Sequence, residues 1–227
     1  MKHKIYRIVC TALCCAPLLA TAQTGGKITS PQRLYEEGES LFRQKAFAAA
    51  MPPLQAFIKQ TNAEGAPVSA AGNKEEAEYM LVCAEYELRN PNSIELLREY
   101  LDTYPDTPHA NRICALIASA YFFEGKYDDA LAMFNSSRLD LLSNEERDDM
   151  TYRLATCYLK TGNVKEAAIW FETLRSTGSR YTADCTYYLA YIRYSQQRYD
   201  DALSGFLSLQ DNAKYEALVP YYIAEIY

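Results

Sequence analysis

Histidine is almost missing: two occur in 227 residues, His3 and His109. That leaves little material for a histidine general base, a nucleophile relay or a histidine-rich metal centre. No C-x-x-C occurs among the 7 Cys, and their spacings match no metal signature. Long apolar runs are absent too. The longest, Ile8 to Ala20, is about 13 residues broken only by Thr11, against the ~20 a bilayer span needs. Positive charge is short, with 23 Lys+Arg against 29 Asp+Glu and a net of −6. A nucleic-acid backbone is therefore not the expected main partner, because phosphate binding needs a basic surface. Tryptophan occurs once, yet tyrosine occurs 20 times. With 49% hydrophobic and 23% charged residues the composition is globular, which excludes a wholly disordered chain.

The N-terminus reads as an address. Lys2, Lys4 and Arg7 form a basic region, the apolar run follows, and Ala20-Thr21-Ala22 is a small-x-small cleavage site before Gln23. Residues 1–22 are expected to be a secretory signal peptide, cleaved after Ala22. A lipobox needs small residues just before its Cys, and Ala12-Leu13-Cys14-Cys15 does not fit, so no lipid anchor is expected. Removal leaves 20 Lys+Arg, 29 Asp+Glu and a net charge of −9. Residues 23–30 are expected to form a flexible tail. The retained Cys83, Cys114, Cys157 and Cys185 are expected to be free and largely buried, although an exported chain meets an oxidising compartment.

Self-similarity organises the rest. GKYDDALAMF (125–134) recurs as GNVKEAAIWF (162–171) and QRYDDALSGF (197–206). The central alanines are Ala130, Ala167 and Ala202, and each segment closes on Phe134, Phe171 or Phe206. Twelve residues before those alanines stand Ala118, Ala155 and Ala190, each after an aliphatic residue: Ile117, Leu154 and Leu189. An earlier copy pairs Gly38 with Ala50. The alanines fall 37 and then 35 residues apart, room for two helices of three to four turns and a short connection. Two helices approach closely only where the crossing side chains are small, and the aromatics fill the space on either side.

This pattern resembles the tetratricopeptide repeat, a 34-residue helix–turn–helix unit. The resemblance implies an all-α, right-handed superhelix of antiparallel helix pairs over residues 31–227. Its expected units are 31–60, 74–106, 108–142, 144–178 and 181–215, with a partial sixth at 218–227. Gly125 and Gly162 take the turn glycine. The fifth copy departs at Arg193 and Gln197, where the aromatic and the glycine would sit. In the second copy the small positions fall on Leu81 and Ser93. Tyr121, Tyr127, Tyr158 and Tyr199 take core positions. Ile223, Ala224 and Tyr227 restart the pattern, so the chain is expected to be the N-terminal piece of a longer array.

Local signals mark the boundaries. Ser30-Pro31 and Thr107-Pro108 read as N-caps followed by proline, and Ser143 with Glu146 and Asn73 with Glu76 as capping boxes. Residues 61–73 read as a long loop of small residues. Pro52-Pro53 predicts a kink or a late start of the second helix. Asp128-Asp129, Asp148-Asp149 and Asp200-Asp201 read as solvated helix-start residues, because adjacent side chains diverge on a helix. Gly25-Gly26-Lys27 lacks the strand and helix of a phosphate loop. His109 reads as a solvated residue at a helix start.

No catalytic constellation emerges, so the chain is not expected to be an enzyme, and no cofactor or metal is expected. The resemblance implies a concave groove lined by the first helix of each unit, and the candidates carried onto it are Arg112, Phe122, Tyr152, Lys160, Tyr187, Tyr191 and Tyr194. Tyrosine offers rigid amphipathic contact area suited to recognition. The implied function is a scaffold exported to the periplasm of a Gram-negative cell that binds a protein or peptide. After cleavage no membrane segment is expected. Two other readings stay open: the N-terminal sensing half of a longer membrane-spanning signalling protein, and a glycan-binding helical-repeat protein.

Overall fold

The computed structural model describes residues 30–63 and 73–227, and every regular element among them is helical. The expected signal peptide, the tail to residue 29 and most of the 61–73 loop lie outside the described residues. The helices are α1 Pro31–Arg43, α2 Phe47–Thr61, α3 Lys74–Glu87, α4 Ser93–Thr103, α5 Ala110–Phe123, α6 Tyr127–Asn135, α7 Asn144–Lys160, α8 Val164–Ser176, α9 Thr182–Ser195, α10 Tyr199–Leu207 and α11 Val219–Ile226. A 3₁₀ turn, Leu139–Leu141, links α6 to α7. Successive pairs form five units, and α11 packs against α10 as the first helix of a sixth.

The small residues sit where the repeat predicts. Ala118, Ala130, Ala155, Ala167, Ala190 and Ala202 are fully buried, as are Phe171 and Phe206, and Phe134 is 2% exposed. The second helix of each unit buries one face at steps of four and three residues. Ala50, Leu54 and Phe57 do this in unit one, and Ala167, Phe171 and Leu174 in unit four. The crossing is close enough that a Cβ on Gly38 would stand 2.6 Å from Leu54 Cδ2, and one on Gly205 2.8 Å from Ala190 Cβ. Larger side chains there would force the helices apart.

Seven residues after each small residue the chain turns through the left-handed region. Gly125 (φ 75°) and Gly162 (φ 81°) do so in units three and four. Lys45 (φ 59°), Arg89 (φ 60°) and Gln197 (φ 61°) do so without glycine's freedom. Unit five therefore keeps the turn that its sequence seemed to abandon.

Unit two corrects the register by one residue. Counting back seven from Arg89 puts Val82, not Leu81, in the first small slot. Ser93 does hold the second, with Leu97 and Tyr100 buried four and seven residues on. The connection is one residue shorter here, since Ser93 follows the left-handed residue by four rather than five.

Several local expectations also change. Thr107 is not an N-cap: its buried hydroxyl lies 3.0 Å from Tyr100 Oη, and α5 begins two residues later than expected. Asn73 does precede α3, but its side chain makes no capping bond, and Glu76 turns to His109 instead. Helix α2 runs from Phe47 through both prolines, so there is no late start. The carbonyls that Pro52 and Pro53 leave without a helical donor belong to Ala48 and Ala49, both exposed, where solvent can satisfy them. Tyr199 is 45% exposed rather than a core residue. By contrast, Ser143 and Glu146 do meet at the start of α7: the Glu146 amide donates to Ser143 Oγ at 3.4 Å, and Oγ donates to Oε2 at 2.8 Å. The four cysteines among the described residues are free, with Cys83, Cys157 and Cys185 buried and Cys114 half-buried.

Candidate functional site

The first helices α1, α3, α5, α7 and α9 share one face, and side chains on it touch the next unit with the stride of the repeat. From unit two onward, the residue six before the small slot meets the residue nine before the next one. Glu76 Oε2 lies 2.7 Å from His109 Nε2. Arg112 Nε donates to Glu146 Oε1 at 2.7 Å. Asp149 accepts from Tyr181 Oη at 3.1 Å and pairs with Arg180. Asp184, 8% exposed, accepts from Tyr215 Oη and Lys214 Nζ. A second line of contacts runs higher on the face. Tyr86 donates to Ser119 Oγ at 2.7 Å, Arg153 donates to the same oxygen at 2.6 Å, and Tyr194 donates to Glu225 at 2.6 Å.

These rungs revise the roles expected for several residues. His109 is 22% exposed rather than fully solvated: besides its Glu76 contact it stacks on Tyr79, with ring centroids 3.6 Å apart. Asp149 is an acceptor between units rather than a free helix-start residue, whereas Asp128, Asp129, Asp200 and Asp201 are exposed in their first turns as expected. Arg112 also donates to Tyr79 Oη, so its guanidinium is held inside the array.

The tyrosine candidates are engaged by their own neighbours. Tyr152 stacks on Tyr181 at 4.4 Å. Tyr187 stacks on Tyr215 at 4.7 Å, and Tyr191 and Tyr194 meet Tyr222 of α11 edge-on at 6.1 and 5.3 Å. Tyr222 in turn stacks on Phe206 at 4.9 Å. Burial, with neighbouring phenols adding to it, raises the pKa of Tyr152 and Tyr187 well above 10, so both remain neutral donors. Phe122 is half-buried against Phe123 and Tyr127, and Lys160 is exposed at the end of α7.

Open space on this face lies between units two, three and four. A cleft of about 350 Å³ is lined by Tyr86, Arg89, Ile94, Leu116, Phe123, Met150 and Arg153, with Glu87, Glu146 and Asp149 along one margin. Those three acids also border a second cleft of about 450 Å³, which reaches Phe42, Arg43, Lys45 and Phe47 of unit one. The array curves enough that Lys45 Nζ approaches Glu145 Oε2 at 4.0 Å, bringing unit one opposite unit four. Phe123 is 51% exposed, and the guanidinium carbons of Arg89 and Arg153 lie 4.5 and 4.9 Å from its ring centroid. Sequence reasoning named the neighbouring Phe122 as a groove candidate but missed both arginines. Arg153 sits between two groove positions, and Arg89 occupies a turn slot that the repeat assigns to glycine.

Among the described residues no helix is long and apolar enough to cross a membrane, and no His/Cys/Asp/Glu group could hold a metal ion. Residues 115–181 match the family model described as the tetratricopeptide repeat. Among solved structures the chain is similar to MamA of AMB-1, with 17% identity and a TM-score of 0.59 over 81% of this chain and 92% of that one. It is similar to PilF of Pseudomonas aeruginosa at 14% identity and a TM-score of 0.56, over 86% and 88% of the two chains. A Podospora anserina chain of nearly identical TPR-like repeats aligns at 14% identity and a TM-score of 0.50, over 86% and 94%. At these identities the likeness is one of fold. No curated protein matches the sequence.

Proposed function

We propose that this chain, a tetratricopeptide-repeat protein by its matched units and its fold, is an exported scaffold that binds a protein partner along its concave face. The observation that carries the reading is the open cleft around Phe123. Most aromatic side chains on the first-helix face are covered by the next unit, yet this one stands 51% exposed beside two guanidiniums. An exposed aromatic flanked by arginine is the composition of a recognition anchor. Stacked helix pairs supply the extended concave surface on which such arrays hold partners. The sugar-stacking platform that tyrosine faces would offer in unit five is occupied by Tyr215 and Tyr222, which does not favour a glycan ligand.

Export is supported by the basic, apolar and small-residue segments of residues 1–22, and it places the partner in the cell envelope. Mass spectrometry of the exported protein should find a mature form starting at Gln23. A photo-crosslinking residue at Phe123 on the concave face, or at Ile169 on an outer surface and 56% exposed, separates the two sides in envelope extracts. Adducts from position 123 and none from 169 are expected. Adducts from 169 alone would move the binding surface to the opposite side and end this reading.

A further inference from the structure

Resting on that reading of the groove, we infer that the cleft between units two and four recognises an extended peptide by an acidic side chain next to an apolar one. Arg89 and Arg153 both lie over the Phe123 ring, at 4.5 and 4.9 Å. Neither forms an ion pair among the described residues, while three of the four acids lining the cleft are already engaged and Glu87 is not. Glu124 is held by Lys126 at 2.8 Å, Glu146 by Arg112 at 2.7 Å, and Asp149 by Arg180. Arg153 is oriented from below, donating to the fully buried Ser119 hydroxyl, which also receives the Tyr86 phenol. One guanidinium is thus fixed by the inter-unit contacts and the other projects from a turn. Both guanidiniums line the same cleft, where a single carboxylate can accept charge-assisted hydrogen bonds in partly apolar surroundings. Phe123, Ile94 and Leu116 provide the apolar contact beside it.

The occupant is an internal acidic side chain rather than a chain terminus, because the cleft does not end here. It shares Glu87, Glu146 and Asp149 with the neighbouring cleft that leads to unit one, so a bound chain continues past the arginines.

Fluorescence anisotropy on the full chain tests the inference. The probes are two acetylated and amidated eight-residue peptides with Gly/Ser flanks, one with a central Phe-Glu pair and one with Phe-Gln. The Glu peptide should bind at least roughly tenfold more tightly, as a charge-assisted contact to guanidinium implies. Arg89→Gln should cut that preference several-fold. Glutamine is tolerated in this backbone setting, since Gln197 holds the same turn position in unit five. Arg89→Gln with Arg153→Gln should abolish it, with circular dichroism confirming that the array stays folded. Equal binding of the two peptides overturns the carboxylate inference while leaving the groove reading standing. A preference that survives the double substitution also overturns it. Binding of neither peptide overturns it as well, and the crosslinks from position 123 then report separately on the groove.

Discussion

Glu146 shows how one side chain serves three contacts. It closes the start of α7 with Ser143, accepts from Arg112 of the preceding unit, and borders both concave clefts. Burial pulls its carboxyl upward, but the bonds from Ser143 and the Arg112 charge outweigh that and hold it below its ordinary value of 4.5. A carboxylate depressed by folding stabilises above its unfolded pKa, and that contribution is lost as pH falls through the folded one. Glu146→Gln should therefore flatten the decline of the melting temperature below pH 4.5 while lowering stability at neutral pH. An acid limb with the wild-type slope would show that the Arg112 pairing adds nothing. None of this was legible beyond the capping pair, because Arg112 stands 34 residues away and only the stacking of units brings it near.

At the scale of the element, the connection between the two helices of a unit is the most uniform feature and the least uniform in sequence. Five left-handed turn residues stand at equal distance from the small residue, but two of them are Gly. A non-glycine residue in this region costs about 1–2 kcal/mol relative to the right-handed one. A Cβ at the equivalent Gly125 and Gly162 would meet nothing within 4 Å, so crowding does not decide the residue type there. Gln197→Gly should accordingly stabilise unit five by about 1 kcal/mol, offset in part by the looser unfolded chain, and raise the denaturation midpoint. A lowered midpoint would mean that the glutamine side chain contributes more than its backbone costs. The paired alanines and closing phenylalanines made the helices of units three to five readable from spacing alone. Unit two was misjudged by one residue because its connection is shorter and valine fills the first small slot. For the groove tyrosines spacing gives the face a residue occupies, but not whether the next unit covers it: Tyr152 and Tyr187 are half-buried, while Tyr191 is 38% exposed.

Across the whole molecule the tyrosine excess acts as inter-unit cement. Tyr79, Tyr86, Tyr100, Tyr152, Tyr187 and Tyr215 are all raised above 10 by burial, Tyr100 to about 12. Phenols raised by folding stabilise fully below their unfolded pKa of 10, and that stability is lost as pH climbs through the folded values. The array should unfold cooperatively in alkali from above pH 10 upward. Absorbance of phenolate near 295 nm and helical ellipticity should change together rather than in sequence. Smooth titration of most tyrosines with the helices intact would contradict the burial seen at these interfaces.

Because the rungs between units do not all pair the same partners, the units cannot be exchanged freely, and the order of the array is written into its joints. Splicing out residues 109–145 would set Glu146 where His109 stands, facing Glu76, so two carboxylates would meet at a junction that now joins an acid to an imidazole. Splicing out residues 181–214 would bring Tyr215 into the place of Tyr181, beside Arg180, and offer Asp149 the same phenol and guanidinium it already binds. The five-unit chain should thus tolerate loss of its fifth member and resist loss of its third. An array with equivalent joints would show no such asymmetry, and here it follows from which charges happen to face one another across two neighbouring first helices.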